Sequence, residues 1–234
     1  MPTVIRVMLG AALAGVLVAV ACSPKTTADV EPRMADHFTN VGLLHGAAAA
    51  GDLVAVHAQA GLLLTRETGA GMSGKAQPYV EELRTFAGLA SHAPDIKSGA
   101  SAVARVGAAC GSCHNAMKRG PQYNIVTGPP EGENPLATRM IRHQWAADRL
   151  WDGLVGPSDV SWQAGAAVLR DAPLFTDAVT ANVEQYEGVT KLAWQVHEIG
   201  ALANTVQDQT RRAELYGTLL GTCATCHDLM LYPQ

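Results

Sequence analysis

Two short stretches, Cys110-Gly-Ser-Cys113-His114 and Cys223-Ala-Thr-Cys226-His227, are the features around which the rest of the chain is organised. Each reads Cys-x-x-Cys-His, the spacing at which c-type haems are attached. On a helix, residues i, i+3 and i+4 lie on one face, so both thiols and the imidazole reach the same ligand. The pattern predicts two haem c groups, each held by two thioether bonds to cysteine and by a proximal histidine on the iron.

Two simpler interpretations of the cysteines compete with the haem prediction. A zinc site could collect both Cys-x-x-Cys pairs, but zinc pairs usually lie about 15–20 residues apart. Here the separation is 113 residues (223 − 110), with a long helical segment between the pairs. A disulfide within each pair would leave His114 and His227 without a role. The haem interpretation accounts for all six residues.

Composition indicates a globular protein with a sizeable core. The chain has 234 residues, of which 48% are hydrophobic and 16% charged, and its formal net charge is −4. Because no Lys/Arg-rich run is present, nucleic acid is excluded as an expected partner. Aromatic residues make up only 5%, and a haem, which is itself a large apolar plate, would supply some of the missing core.

The N-terminus is typical of a bacterial lipoprotein. Residues Met1–Ala21 read as a signal peptide, with Arg6 before an apolar run that is short for a membrane span. The run ends in Ala19-Val20-Ala21-Cys22-Ser23, which resembles a lipobox and predicts acylation of Cys22. Residues 22–33 would then form a polar tether from the lipid bilayer. An ordinary signal peptide or a retained anchor helix is the alternative.

The remainder of the chain contains one helical plan twice. Residues 34–119 and 137–234 each open with Met-x-x-His, contain four helical segments and end with Cys-x-x-Cys-His. Met34 and His37 correspond to Met140 and His143 with one offset of 106 (140 − 34 and 143 − 37). A Pro/Gly-rich linker over residues 120–136 separates the halves. The sequence therefore predicts an all-α fold produced by duplication.

Each half resembles a class II cytochrome c, the cytochrome c-prime type, in carrying Cys-x-x-Cys-His on its last helix. The resemblance implies a tandem pair of antiparallel four-helix bundles. It also implies haem attachment at Cys110, Cys113, Cys223 and Cys226, with proximal ligation by His114 and His227. In that family the first helix faces the distal side of the haem, and its residue there decides whether the iron is open or six-coordinate.

The repeated Met-x-x-His pair supplies the candidate sixth ligands. Both residue types bind haem iron, and i, i+3 spacing places them on one helix face. His37 and His143 are preferred as distal ligands, because Met34 and Met140 are expected near the fraying helix ends. Met34 and Met140 remain the alternative. His45 and His57 have no counterparts in the second half and are expected to be surface or interhelix residues.

These expectations favour an electron carrier over an enzyme. The leading hypothesis is a lipid-anchored dihaem cytochrome c that transfers electrons to redox partner proteins on the periplasmic side of a bacterial membrane. The alternative is a haem protein of the cytochrome c-prime type that binds nitric oxide or carbon monoxide at an open distal site. A dihaem peroxidase ranks third, because it needs acid/base groups beside an open iron and none is recognised apart from the candidate ligands.

Overall fold

The computed structural model describes residues 30–65, 72, 74–123, 127–132, 135–171 and 187–231. Within these ranges the chain forms eight α-helices and one short 3₁₀ turn, without a β-strand. The helices are α1 (Val30–Ala50), α2 (Leu53–Thr65), α3 (Gln77–Ser91), α4 (Ile96–Met117), α5 (Pro135–Val155), α6 (Asp159–Asp171), α7 (Glu187–Ala203) and α8 (Gln209–Leu231). The prediction of an all-α fold is confirmed. The signal segment and Cys22 lie outside the described residues.

Several helix starts follow directly from local sequence. Asp52 precedes α2, and its carboxylate accepts a hydrogen bond of 2.9 Å from the backbone N–H of Ala55. Asp95 caps α4 in the same way, accepting from the N–H of Ser98 at 2.8 Å. Both carboxylates satisfy N–H groups that have no partner within the helix. Pro135 begins α5, a position where proline has no amide to lose, so α5 starts inside the range predicted as linker.

The helices pack in chain order within each half and then across the halves. Helices α1 to α4 contact one another in sequence, and α1 returns to contact α4; α5 to α8 do the same, with α5 against α8. The most extensive contact of all joins α4 to α8. In addition, α1 packs on α8 and α5 packs on α4. The two helices that carry Cys-x-x-Cys-His are thus packed directly against each other.

Small residues allow α4 and α8 to approach closely. The pairs of residues in contact also show that the two helices are antiparallel. A Cβ on Gly217 would lie 2.8 Å from the Cα of Ser101, and one on Gly221 would lie 3.4 Å from the Lys97 side chain. Residue numbers rise on α8 as they fall on α4. Cys110 and Cys223 therefore lie toward opposite ends of the pair, about 20 Å apart along its axis at 1.5 Å per residue.

The hydrophobic core is continuous between the halves. One cluster of buried side chains includes residues of every α-helix. Its largest fully buried members are Trp162, Tyr216, Leu44, Leu63, Leu150, Leu154, Leu169, Leu219 and Leu220. Each buried side chain of leucine size contributes about 1.5–3 kcal/mol through removal from water. Because the cluster joins residues of both halves, neither half buries its apolar surface alone.

Across the described ranges, we find no helix that has both the length and the apolar character needed to cross a membrane.

Candidate functional site

The Cys-x-x-Cys-His stretch of the second half opens onto a cavity of about 310 Å³ between α5, α7 and α8. This cavity is mostly apolar, as a site for a large planar cofactor requires. Both predicted distal candidates of the second half line it, together with the attachment residues. Its lining includes Met140, His143, Ala147, Leu169, Leu192, Val196, Leu219, Cys223, Cys226 and His227. The structure therefore brings together five residues that the sequence had assigned to one haem.

His143 and His227 approach the cavity from different helices. His143 lies on α5 and is only 7% exposed, whereas His227 lies on α8, one residue after Cys226. Met140, one turn before His143, lines the same space. The arrangement can offer one imidazole from the attachment side and a second ligand from α5, either imidazole or thioether.

In the first half, a backbone hydrogen bond defines the orientation of His114. Its Nδ1–H donates to the carbonyl oxygen of Val155 at 2.7 Å. A carbonyl can only accept, so the proton is on Nδ1 and the Nε2 lone pair is available to a metal. Proximal histidines are commonly held in this way, since the bond sets the ring orientation and raises the basicity of the ligating nitrogen.

The loop after α4 closes over the same imidazole. Gly120 has φ +137°, and a Cβ there would lie 2.5 Å from Cγ of His114. Only glycine combines this backbone conformation with such a close approach. The loop and the Val155 carbonyl together leave the ring little freedom to rotate.

Each attachment turn is packed against the first helix of the opposite half. A side chain on Gly111 would overlap the Leu154 carbonyl at the end of α5, and Gln209 donates to that carbonyl at 2.6 Å. In the second half, a Cβ on Gly51, just after α1, would lie 3.3 Å from Cβ of Ala224. Gly111 and Ala224 occupy equivalent motif positions, separated by 113 residues like the cysteines (224 − 111). Each Cys-x-x-Cys-His turn is thus in close contact with the other half of the chain.

The state of the thiols bears on the zinc and disulfide alternatives. Cys110, Cys113, Cys223 and Cys226 are free rather than disulfide-bonded. Burial raises the pKa of Cys110 and of Cys223 to about 12, so both remain protonated at neutral pH. In the part of the chain that the structure describes, no three His, Cys, Asp or Glu side chains group closely enough to hold a metal ion.

The candidate distal residues of both halves lie within helices rather than at their ends. Helix α1 begins at Val30 and α5 at Pro135, so Met34 and Met140 each lie at least one turn inside. The expectation that these methionines are near fraying ends is wrong, because both helices start earlier than the hydrophobic pattern suggested. Met34 and His37 are half-buried on α1, which packs on α4 as α5 packs on α8.

Sequence reasoning missed a buried aromatic cluster between the two sites. His45 of α1, Trp151 of α5 and Tyr216 of α8 contact one another. His45 was expected to be a surface or interhelix residue; it is an interhelix residue, 7% exposed. The signal that could have revealed it is the repeat offset, because 151 − 45 is also 106. His45 therefore has a counterpart, and that counterpart is a tryptophan.

Comparison with known proteins adds no relative. No family model, no curated protein and no solved structure matches the chain.

Proposed function

We propose that the protein is a dihaem cytochrome c that carries electrons, with one haem bound by Cys110, Cys113 and His114 and the other by Cys223, Cys226 and His227. The observation that carries the proposal is the cavity of the second half. Met140 and His143 line one apolar space together with the Cys-x-x-Cys-His stretch, which begins 80 positions after His143 (223 − 143). The cavity supports the proposal because it brings the predicted ligands and the Cys-x-x-Cys-His residues of one haem to a single apolar space.

Different residues of each proposed site would attach the haem, bind its iron as the proximal ligand and supply the sixth ligand. The half-buried thiols of each pair would lie on one helix face for thioether bonds, and His114 would present Nε2 because its Nδ1–H is engaged by Val155. His143, with Met140 as the alternative, would complete the coordination from α5. When bound, each haem would supply a one-electron iron couple whose potential depends on the sixth ligand, lower for histidine and higher for methionine.

The finer architecture belongs to the same proposal. Each half would be an antiparallel four-helix bundle like a class II cytochrome c, with its haem on the last helix. Support comes from the contacts of α1 with α4 and of α5 with α8, which close each set of four helices. A departure from simple tandem bundles is the close packing of α4 on α8, which joins the halves into one core.

The cellular setting follows from the N-terminal sequence. Met1–Ala21 would direct export, and acylated Cys22 would hold the protein at the periplasmic side of a membrane, near redox partner proteins. Export agrees with haem attachment, which the cytochrome resemblance places outside the cytoplasm. Mass spectrometry of the membrane-extracted protein tests this assignment: loss of Met1–Ala21 with a triacyl mass on Cys22 is expected, and an unmodified Cys22 would contradict it.

The first experiment is an absorption spectrum of the purified full-length protein, reduced, with and without carbon monoxide. Two haems per chain by pyridine haemochrome assay, with sharp low-spin bands that carbon monoxide does not alter, are the expected result. A large carbon monoxide shift would instead favour the gas-binding alternative, since it requires an open iron. Absence of haem bands would overturn the proposal.

A matched pair of histidine variants tests the distal assignment. His143→Ala should convert the second-half haem to a high-spin form that binds carbon monoxide, because the cavity-lining imidazole of α5 is removed. His92→Ala is the control, since His92 is exposed at the end of α3 and its Nδ1 bonds locally, to Gly88. If His143→Ala stays low-spin, Met140→Leu should give the high-spin form. A low-spin spectrum in both variants would refute the distal assignment to α5.

A further inference from the structure

Three aromatic rings meet in the interior at the boundary between the halves. His45 stacks on Trp151 with ring centroids 4.5 Å apart and an interplanar angle of 10°. Tyr216 lies 5.9 Å from each of the other two rings. All three side chains are less than 8% exposed, and they come from α1, α5 and α8. We call these residues the aromatic cluster.

Hydrogen bonds fix the protonation state of the aromatic cluster. The Tyr216 hydroxyl donates to the Ala147 carbonyl at 3.1 Å, and His45 Nε2 lies 2.5 Å from the same hydroxyl oxygen. Because a carbonyl only accepts, the tyrosine proton is used there, and His45 must donate Nε2–H to the tyrosine oxygen. Burial also raises the pKa of Tyr216 well above its usual range. Burial also lowers the pKa of His45 to about 4, so the cluster is neutral at pH 7, with each of these donors satisfied.

The aromatic cluster adjoins both attachment sites. Toward the first half, the Trp151 ring packs on Gly107, one turn before Cys110, where a Cβ would lie 2.5 Å from Cζ3 of Trp151. Toward the second half, Tyr216 lies two turns before Cys223 on α8, and its acceptor Ala147 lines the second-half cavity. The cluster thus lies in the interior between two turns that are about 20 Å apart along the α4–α8 pair.

We propose that the aromatic cluster is the route by which electrons pass between the two haem sites. The proposal rests on the dihaem function proposed above. Tunnelling through protein weakens exponentially with distance, and stacked or hydrogen-bonded π systems couple donor and acceptor better than an aliphatic core of the same thickness. One electron leaves one haem iron and arrives at the other, while Trp151 and Tyr216 end the step unchanged and Tyr216 keeps its proton.

Core packing alone does not explain why His45 and Tyr216, which carry polar atoms, are buried in this cluster. The surrounding interface is built from glycine, alanine, valine and leucine, such as Val103, Ala104 and Leu220. Burying an imidazole and a phenol costs free energy unless every polar atom is paired, and apolar side chains would fill the same space without that requirement. His45 and Trp151, which stack on each other, also occupy equivalent positions of the two halves (151 − 45 = 106).

The test measures intramolecular electron exchange in the full-length dihaem protein. In partially reduced samples, two-dimensional exchange NMR of the haem methyl signals reports the rate at which an electron moves between the two haems. Trp151→Leu should slow this exchange several-fold while leaving both haem spectra and midpoint potentials unchanged. Trp162→Leu is the matched control, because Trp162 is also a buried tryptophan of the second half, 1% exposed, but contacts α7 and Arg212 instead of the cluster.

The outcomes separate the bridge from the dihaem function. An unchanged exchange rate in Trp151→Leu, or equal slowing in Trp162→Leu, would overturn the bridge while two haem signals in the spectrum would leave the dihaem function standing. If Trp151→Leu does not fold, judged by its thermal unfolding, Tyr216→Phe decides, since it keeps the ring and removes the hydrogen bond to His45. Slower exchange in that variant supports the bridge, and the wild-type rate refutes it.

Discussion

Acidification should destabilise the protein through His45, and the effect can be isolated with one variant. His45 is 7% exposed, and burial lowers its pKa from 6.5 to about 4. In the unfolded chain His45 binds a proton below pH 6.5, whereas in the folded protein it does so only below about pH 4. The contribution of neutral His45 to the unfolding free energy is therefore complete above pH 6.5 and is lost as pH falls from 6.5 to about 4.

The size of the effect follows from the pKa difference. Two and a half pKa units at 1.36 kcal/mol each correspond to about 3 kcal/mol of unfolding free energy. His45→Phe keeps a ring stacked on Trp151 and removes the titrating group. The difference in unfolding free energy between wild type and His45→Phe should therefore shift by about 3 kcal/mol against the wild type between pH 7 and pH 4.

Urea denaturation followed by far-ultraviolet circular dichroism, at constant ionic strength and several pH values, measures this difference. The variant comparison is needed because Asp152 acts in the opposite direction. Burial raises the pKa of Asp152 to about 6, so its protonation favours the folded state as pH falls. Asp152 is present in both proteins and its contribution cancels. A difference that stays flat within about 1 kcal/mol from pH 7 to pH 4 would refute the assignment of a buried, neutral His45.

Three further substitutions test the packing of the first Cys-x-x-Cys-His turn and of the core. Gly111→Ala should destabilise the protein by about 1–3 kcal/mol, because the new Cβ overlaps the Leu154 carbonyl; Gly42→Ala, where nothing lies within 4 Å, should instead stabilise it by up to about 1 kcal/mol. Thermal unfolding of the two variants measures both, and equal effects would contradict the close packing of the first attachment turn. Trp162→Phe should cost about 2 kcal/mol in the same assay, since it removes the indole N–H that donates to Ala203 at 2.8 Å and leaves that carbonyl unpaired. A stability equal to wild type would show that water replaces the indole.

Local sequence was sufficient to predict the helical class and the composition of the second-half site. Helix periodicity, the capping Asp52 and the repeated Met-x-x-His and Cys-x-x-Cys-His stretches all act over a few residues. The offset shared by the two halves then indicated which residues should face one cofactor. Met140, His143 and His227 line one cavity as that reasoning expected. The helix starts were less predictable, because Pro135 begins α5 in a stretch whose composition is typical of a linker.

Only the tertiary structure showed that each Cys-x-x-Cys-His turn contacts the opposite half of the chain. The partner of His114 is the backbone carbonyl of Val155, and a carbonyl is present at every residue, so the sequence carries no signal for its role. The aromatic cluster likewise depends on how α1, α5 and α8 pack. Periodicity predicts that a side chain faces inward, but the identity of its neighbour depends on the packing of helices distant in the chain. The sequence therefore indicated residues that line the second-half cavity, whereas the contacts between the two halves depended on the tertiary structure.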